Sequence, residues 1–468
     1  MKNLKDLIND FDGSNPFPIF FENGYTPESI KQEIIKTFEG YFVNKSNLED
    51  HAINDLATIW LEYLSIGNDK HLVKKLDNTI NLIKKALKTN HLLTIETYIN
   101  WSESLYETIN KFWSVKNLQK NGDELCIEDI AENTFQLIGQ LIEGLMKPYL
   151  KLIYHLNEIS QQKVIDKDTI NSYDLGKITY ELSNLPNLIL IQPLNISLSQ
   201  WRNIAYHHTY SVENGKIKCI YGKGDKSKVF LLTRNKLLEV TKSIYSFFKI
   251  LKISEALFVF DNLDSIQKHN VKTKNNVKFR DESYLLDFYS GLSSQGFSVK
   301  DLIIDDEKSI LILQDLLNDD AMKRAIHSSQ FLYSLWSFSK SNIIIIEYKK
   351  ADGCSYLISK TLSKYLKLLD KGKITLNDTL KYIQFDFTGE KTLNDNLENL
   401  KKIKDNFNKK DPFRSHLLSA IPTKQEFFSQ KGKKITVKEF IKDFILGIFS
   451  NYMVFRELGF KKTQVKSA

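Results

Sequence analysis

Cysteine is nearly absent from this chain: Cys126, Cys219 and Cys354 are the three in 468 residues, and they lie far apart. Such spacing supports neither a disulfide framework nor a zinc cluster, so the expectation is three reduced, buried thiols and no metal. Long apolar runs are missing too. The most apolar stretches, Ile343 to Ile346 and Leu257 to Phe260, fall far short of the roughly 18 residues that a membrane span requires. The start, Met1-Lys-Asn-Leu-Lys-Asp-Leu-Ile8, interleaves charge with apolar residues and lacks the apolar heart of a secretion signal. We therefore expect a cytoplasmic protein with no membrane partner. Arginine is the third scarcity, with six among 65 basic residues: Arg202, Arg234, Arg280, Arg324, Arg414 and Arg456. Lysine is the default cation here. An arginine kept against that bias is a place to look for bidentate contact with phosphate or carboxylate.

What is present is the balance of a globular chain, 42% hydrophobic and 26% charged. The length implies two or three domains. A formal net charge of +8 suits an anionic partner such as nucleic acid, although spread over a large surface it decides nothing alone.

The expected fold is mainly α, a helical bundle with an inserted β-hairpin, followed by a C-terminal α+β region. Residues 1–90 read as an N-terminal helical region, with a helix start at Thr26-Pro-Glu-Ser. Residues 91–262 read as the bundle. It contains two long amphipathic helices between Leu92 and Gln162, and more helix from Thr169 to Leu182. A further helix is capped by Ser197 or Ser199, and one from Thr233 to Leu251 closes the unit. Between these last two, the alternation of Lys216 to Tyr221, a glycine and lysine turn, and Val229 to Leu232 predict a hairpin over 216–232. Residues 263–284 are polar and read as a linker. Residues 285–468 mix strand-like runs, Leu302-Ile-Ile and Asn342 to Glu347, with helices expected at Ser309 to Leu317, Ser355 to Leu369 and Val437 to Glu457. A polar stretch from Thr388 to Asp411 precedes the last of these.

Chemistry concentrates in Trp201-Arg-Asn-Ile-Ala-Tyr-His-His208. At about 100° per residue, Leu198, Trp201, Ala205, His208 and Val212 fall on an apolar stripe, whereas Asn203, His207 and Tyr210 fall on a polar one beside Arg202. His207 is thus the better catalyst, and the competing reading of His208 is a core or interface histidine. Other clusters carry less. Asp305-Asp306-Glu307 reads as a helix start before it reads as a magnesium site. Arg324 with His327 and Arg414 with His416 read as structural.

Arginine, then a polar residue, then histidine five positions on, late in a helical bundle, resembles the active-site motif of the HEPN superfamily: an arginine, four to six residues of which the first is polar, then histidine. The resemblance covers the motif and, loosely, the helical region from Leu92 to Phe260. It implies a metal-independent endoribonuclease with no cofactor, in which Arg202, Asn203, His207 and His208 form the candidate catalytic set. The ribose 2′-hydroxyl attacks its own phosphate, leaving a 2′,3′-cyclic phosphate. His207 then serves as general base or acid, Arg202 neutralises the phosphorane, and Asn203 holds an oxygen or orients the imidazole.

Arg202 and His207 stand about 140° apart on an ideal helix, poorly placed to grip one phosphate. The resemblance answers this with a homodimer or higher oligomer that pairs two motif helices across one cleft. It further implies a bacterial toxin or anti-phage effector acting in abortive infection, with a regulatory or antitoxin partner. Tyr210 becomes a possible modification site. Lys218, Lys223, Lys226 and Lys228 are candidate RNA-phosphate contacts, or equally a solvated hairpin edge. The region after about Asp281 offers no catalytic constellation of its own and is expected to regulate or target. A non-catalytic HEPN-like scaffold that binds nucleotides or a partner, and a basic RNA-binding module, are the competing functions.

Overall fold

The computed structural model describes residues 15–117, 126–185, 189–222, 224–269, 280–317 and 319–388, together with Ile8 and Phe11. These pack as two units. The described residues up to Gln32 join those from Tyr284 onward, and Glu33 to Ser283 form the other unit. The first unit begins with α1 (Phe17–Glu22). Next to it Asn15 Nδ2 donates to Ser293 Oγ at 3.0 Å, and Phe11 lies 5.6 Å from Tyr289 between ring centroids. Helix α2 (Pro27–Phe38), whose residues as far as Gln32 belong to this unit, starts at the expected proline, with Thr26 and Ser29 exchanging capping bonds.

Among its described residues the second unit is helical apart from one small sheet. Its helices before the motif are α3 (Lys45–His51), α4 (Ala57–Gly67), α5 (Lys70–Thr89), α6 (His91–Asn117), α7 (Ile127–Gly139), α8 (Lys147–Ser160), α9 (Lys167–Ser172) and α10 (Leu175–Ser183). A π-helical segment, Gln140–Met146, joins α7 to α8. The motif helix α11 (Leu198–Tyr206) leads into β1 (Tyr210–Glu213), β2 (Lys216–Tyr221) and β3 (Lys228–Leu232), an antiparallel sheet of order β1-β2-β3. Helices α12 (Arg234–Asp261) and α13 (Leu263–His269) complete it.

Helix α12 is the axis of this unit. From Phe247 to Phe260 every residue is buried, as expected of a helix that is wrapped on all sides. Its charges are therefore paired. Lys252 Nζ lies 2.9 Å from Glu62 Oε1, with both side chains essentially inaccessible, and Glu255 accepts from Tyr98 Oη at 2.9 Å. The boundary drawn at residue 90 falls between α5 and α6, inside this unit, because α5 packs its apolar face (Leu76, Ile80, Ile83) on α8 and α12. The linker drawn from 263 begins as helix α13, whose Leu263 and Ile266 are buried and which packs on α6. Residues 270–279 lie outside the described residues.

The first unit carries α14 (Asp281–Ser294), whose residues from Tyr284 on belong to it, then β4 (Phe297–Ile304), β5 (Lys308–Asp315), α15 (Ala321–Ser329), α16 (Phe331–Ser339), β6 (Ile343–Lys349), β7 (Ser355–Leu362), α17 (Ser363–Asp370) and β8 (Gln384–Phe387). The strands lie in the order β4-β5-β6-β7-β8, parallel between β5 and β6 and antiparallel elsewhere. The α+β expectation therefore holds, with two corrections. The helix expected at Ser309 to Leu317 is instead strand as far as Asp315: β5 sits between β4 and β6, and its Ile-Leu-Ile-Leu core alternates burial across the sheet. Ser355 to Leu362 is likewise strand, and helix starts at Ser363. The helix expected at Val437 to Glu457 and the polar stretch beyond Thr388 lie outside the described residues. Cys219 is buried as expected, but Cys126 and Cys354 are exposed.

Candidate active site

The motif helix is fixed from both ends. Ser197 caps α11, accepting from the Gln200 amide at 3.4 Å. Leu198, Trp201, Ile204 and Ala205 are buried. Trp201 donates through Nε1 to the Pro193 carbonyl at 3.2 Å and meets Phe230 edge-on at 5.8 Å, which ties α11 to β3. At Gly139 a Cβ would stand 3.2 Å from Tyr206 and 3.4 Å from Ala205, so this glycine lets α7 and α11 approach closely.

Three of the five residues of the expected helical stripe lie on it. Leu198, Trp201 and Ala205 do line the core, but α11 ends at Tyr206 and neither His208 nor Val212 continues the stripe. The His207 amide donates to Asn203 O at 2.9 Å and the Thr209 amide to Ile204 O at 3.2 Å, with His208 at φ +49°. This is a Schellman closure with a histidine where glycine is usual. His207 and His208 are both exposed, so the placement of His208 in a core is corrected. The chain leaves the helix because Thr209 is captured by β2: its carbonyl accepts from the Ile220 amide at 2.8 Å, and its hydroxyl donates to Ile220 O at 2.7 Å.

Arg202 is half-buried and held by a carboxylate. Its Nε donates to Glu143 Oε2 at 3.2 Å and its Nη1 to Asn203 Oδ1 at 3.2 Å, while its guanidinium carbon lies 5.3 Å from the Tyr206 ring centroid. Among the described residues Nη2 has no hydrogen-bond partner. Glu143 sits in the π-helical segment and also pairs with Lys147 through Oε1. Burial works to raise its carboxyl, but Lys147 and Arg202 together outweigh burial and hold it below the ordinary value. A π-turn adds one residue to the helical turn and rotates the side chains beyond it, and such segments cluster at working sites.

Tyr210, on β1, stacks on Phe135 with centroids 4.1 Å apart and donates its hydroxyl to Glu132. Burial first, then Glu132, push its phenol well above the usual range. His208 Nδ1 lies 3.3 Å from the same hydroxyl. The hairpin lysines do not share one face. Lys218 projects from the outer face of β2 and pairs with Glu213 at 3.1 Å; Lys228 is exposed on the opposite face by register; Lys226 is exposed in the turn; Lys223 lies outside the described residues. Among the described residues no group of three or more histidine, cysteine or acidic side chains is placed to hold a metal.

Elsewhere, Asp305 to Glu307 is the tight turn joining β4 to β5, not a helix start. Asp305 Oδ1 accepts from the amides of Glu307 and Lys308 at 2.9 and 2.7 Å. Arg324 is structural as expected: it is buried, forked onto Asp315, and bonded to the Gln295 and Gly296 carbonyls. Burial, then its positive neighbour Arg324, depress the His327 imidazole to about 4. Arg414 and His416 lie outside the described residues.

Sequence reasoning missed Glu143 and Lys147. Their i,i+4 spacing is visible in the chain, but nothing local announces that Glu143 meets an arginine 59 positions away.

No protein-family profile and no solved structure matches this chain. It is similar to the DNA polymerase III subunit alpha of Buchnera aphidicola subsp. Acyrthosiphon pisum (strain APS), 20% identical over 414 residues. That stretch is 80% of this chain and 33% of the polymerase subunit, so the chain spans about a third of that relative's length. No helix of the described residues is long and apolar enough to cross a membrane.

Proposed function

We propose that the chain is a HEPN-type endoribonuclease acting without metal, with Arg202 and His207 as its working pair and Asn203 beside them. The observation that carries this reading is the end of α11. A helix whose apolar face is locked into the bundle delivers an oriented guanidinium, an amide and two exposed imidazoles within seven residues. Arg202 keeps Nη2 uncommitted while Glu143 and Asn203 fix the rest of its fork. Such a donor suits an oxyanion that develops during reaction, because it need not reorganise when charge appears. An exposed imidazole can exchange protons with a 2′-hydroxyl.

The proposed assembly is a homodimer with the two α11 ends facing one cleft about a two-fold axis. An effector role in defence or toxicity, regulated through the α+β unit or by a partner chain, rests on the motif's resemblance alone.

One observation favours the second reading, a non-catalytic scaffold: the Arg202 and Glu143 ion pair is also what a purely structural arginine would make. The test is incubation of the purified protein with total RNA in EDTA. Fragments with 2′,3′-cyclic phosphate ends, lost in His207→Ala, support the nuclease. Intact RNA with a protein that still binds it points to the scaffold.

A further inference from the structure

We propose that Lys147 and Arg202 together form a phosphate-binding subsite for RNA, with Glu143 as the bridge that sets the two cations side by side. Within the nuclease reading this adds a substrate-binding residue to the site, and it rests on that reading only for the identity of the anion as RNA. The geometry is specific. Glu143 receives Arg202 Nε on one carboxylate oxygen and Lys147 on the other, so the two cations flank a single carboxylate. Each reaches the pair from a different element, Arg202 from α11 and Lys147 from the first position of α8.

The three side chains are partly exposed, Arg202 at 33%, Lys147 at 30% and Glu143 at 24%. The cluster therefore meets solvent while its polar contacts lie partly shielded, where a charge-assisted bond is worth more than on an open surface. Two cations against one carboxylate leave an excess positive charge. Lys151, one turn along α8, adds to it: its ammonium is buried, bonded to the Asn171 carbonyl at 2.8 Å, and close enough to be influenced by both Lys147 and Glu143.

Donors remain for a ligand. Arg202 retains Nη2, and an ammonium carries three N–H groups of which Glu143 uses one. A phosphodiester offers two unesterified oxygens, which matches one guanidinium edge and one ammonium. Glu143 thereby has two effects: it fixes the spacing of the cations, and its own charge weakens the anion that they bind.

The test is binding of a fully 2′-O-methylated oligoribonucleotide, which lacks the attacking hydroxyl and cannot be cleaved, to the full-length protein in EDTA over a range of salt. Lys147→Gln should weaken binding about tenfold, since a bond between charged groups is lost, and should lower the salt slope by about one. Lys147→Arg should restore both. Lys70→Gln, at an exposed lysine on α5, should change neither. Glu143→Gln should tighten binding several-fold by removing the competing charge while still accepting from Arg202. Equal affinities for Lys147→Gln and Lys70→Gln, or no binding by the parent protein at low salt, would overturn the subsite. If the lysine dependence holds but the parent protein leaves ordinary RNA intact, the subsite stands and the nuclease reading falls.

Discussion

His208 occupies the left-handed position that closes α11, and replacing it separates its structural role from any catalytic one. A non-glycine residue in that region costs about 1–2 kcal/mol. Glycine removes this cost but regains roughly 0.5–1 kcal/mol of freedom in the unfolded chain. The contact that the imidazole makes, 3.3 Å to the Tyr210 hydroxyl on an exposed surface, adds little. His208→Gly should therefore stabilise the protein by about 0.5–1 kcal/mol. His208→Val, whose branched side chain tolerates positive φ worst, should destabilise it by about 1 kcal/mol.

For a unit the size of the one from Glu33 to Ser283, 1 kcal/mol moves Tm by about 2–4 °C. The two variants should then melt about 3–8 °C apart, read by thermal unfolding of the full-length chain. In the same preparations His208→Gly should still cleave RNA if, as proposed, the proton transfer belongs to His207. Equal melting temperatures would refute the helix closure. Loss of cleavage in a stable His208→Gly protein would move the catalytic role to His208.

Three other outcomes are expected. His207→Ala and Arg202→Ala should each abolish RNA cleavage while the protein stays folded by circular dichroism, and cleavage surviving either change would place the active site elsewhere. Burial lifts the Glu255 carboxyl from 4.5 to about 7, despite hydrogen bonds from Tyr98 and Tyr149 and the nearby Lys252. Because the folded chain keeps a proton that the unfolded chain releases, this contribution is complete below about pH 4.5 and is lost as pH rises to about 7. Over that window the parent protein should lose about 3 kcal/mol relative to Glu255→Gln in urea titrations, and a constant difference would refute it. Lys252→Met removes the ammonium facing the buried Glu62 and should cost about 3–5 kcal/mol, most of it recovered when Glu62→Gln is added. If the double variant is no more stable than the single one, the pair is not what Lys252 contributes.

Where sequence and structure agree, the signal is local. Thr26-Pro27, Ser197 and Thr233 announce helix starts and stand where expected. Lys216 to Leu232 announces the hairpin by alternation. Where they differ, two local states compete and a distant partner decides. Ser309 to Leu317 has a short apolar run that serves a helix or a central strand equally, and β4 and β6 on either side make it a strand. The site differs for the same reason. Helical periodicity extends past Tyr206 on paper, although Asn214-Gly215, both at positive φ, is the two-residue turn that marks a hairpin and requires a strand just before it.

That turn explains why the two histidines are legible as chemistry but not as geometry. A tight turn at Asn214-Gly215 pairs Glu213 with Lys216 and sets Tyr210 opposite Cys219. The chain must therefore pass from helix to strand within Tyr206 to Tyr210, and some residue there has to absorb the reversal. It falls on His208 because the Thr209 amide closes onto Ile204 while the Thr209 carbonyl and hydroxyl bind Ile220. His207 is then left at the last position that still follows the helix, exposed and next to Tyr206, whose ring lies beside the Arg202 guanidinium. The hairpin thus sets the site as directly as the bundle does. A change at Gly215, where φ is +69°, should disturb the placement of both imidazoles from a turn that carries neither of them.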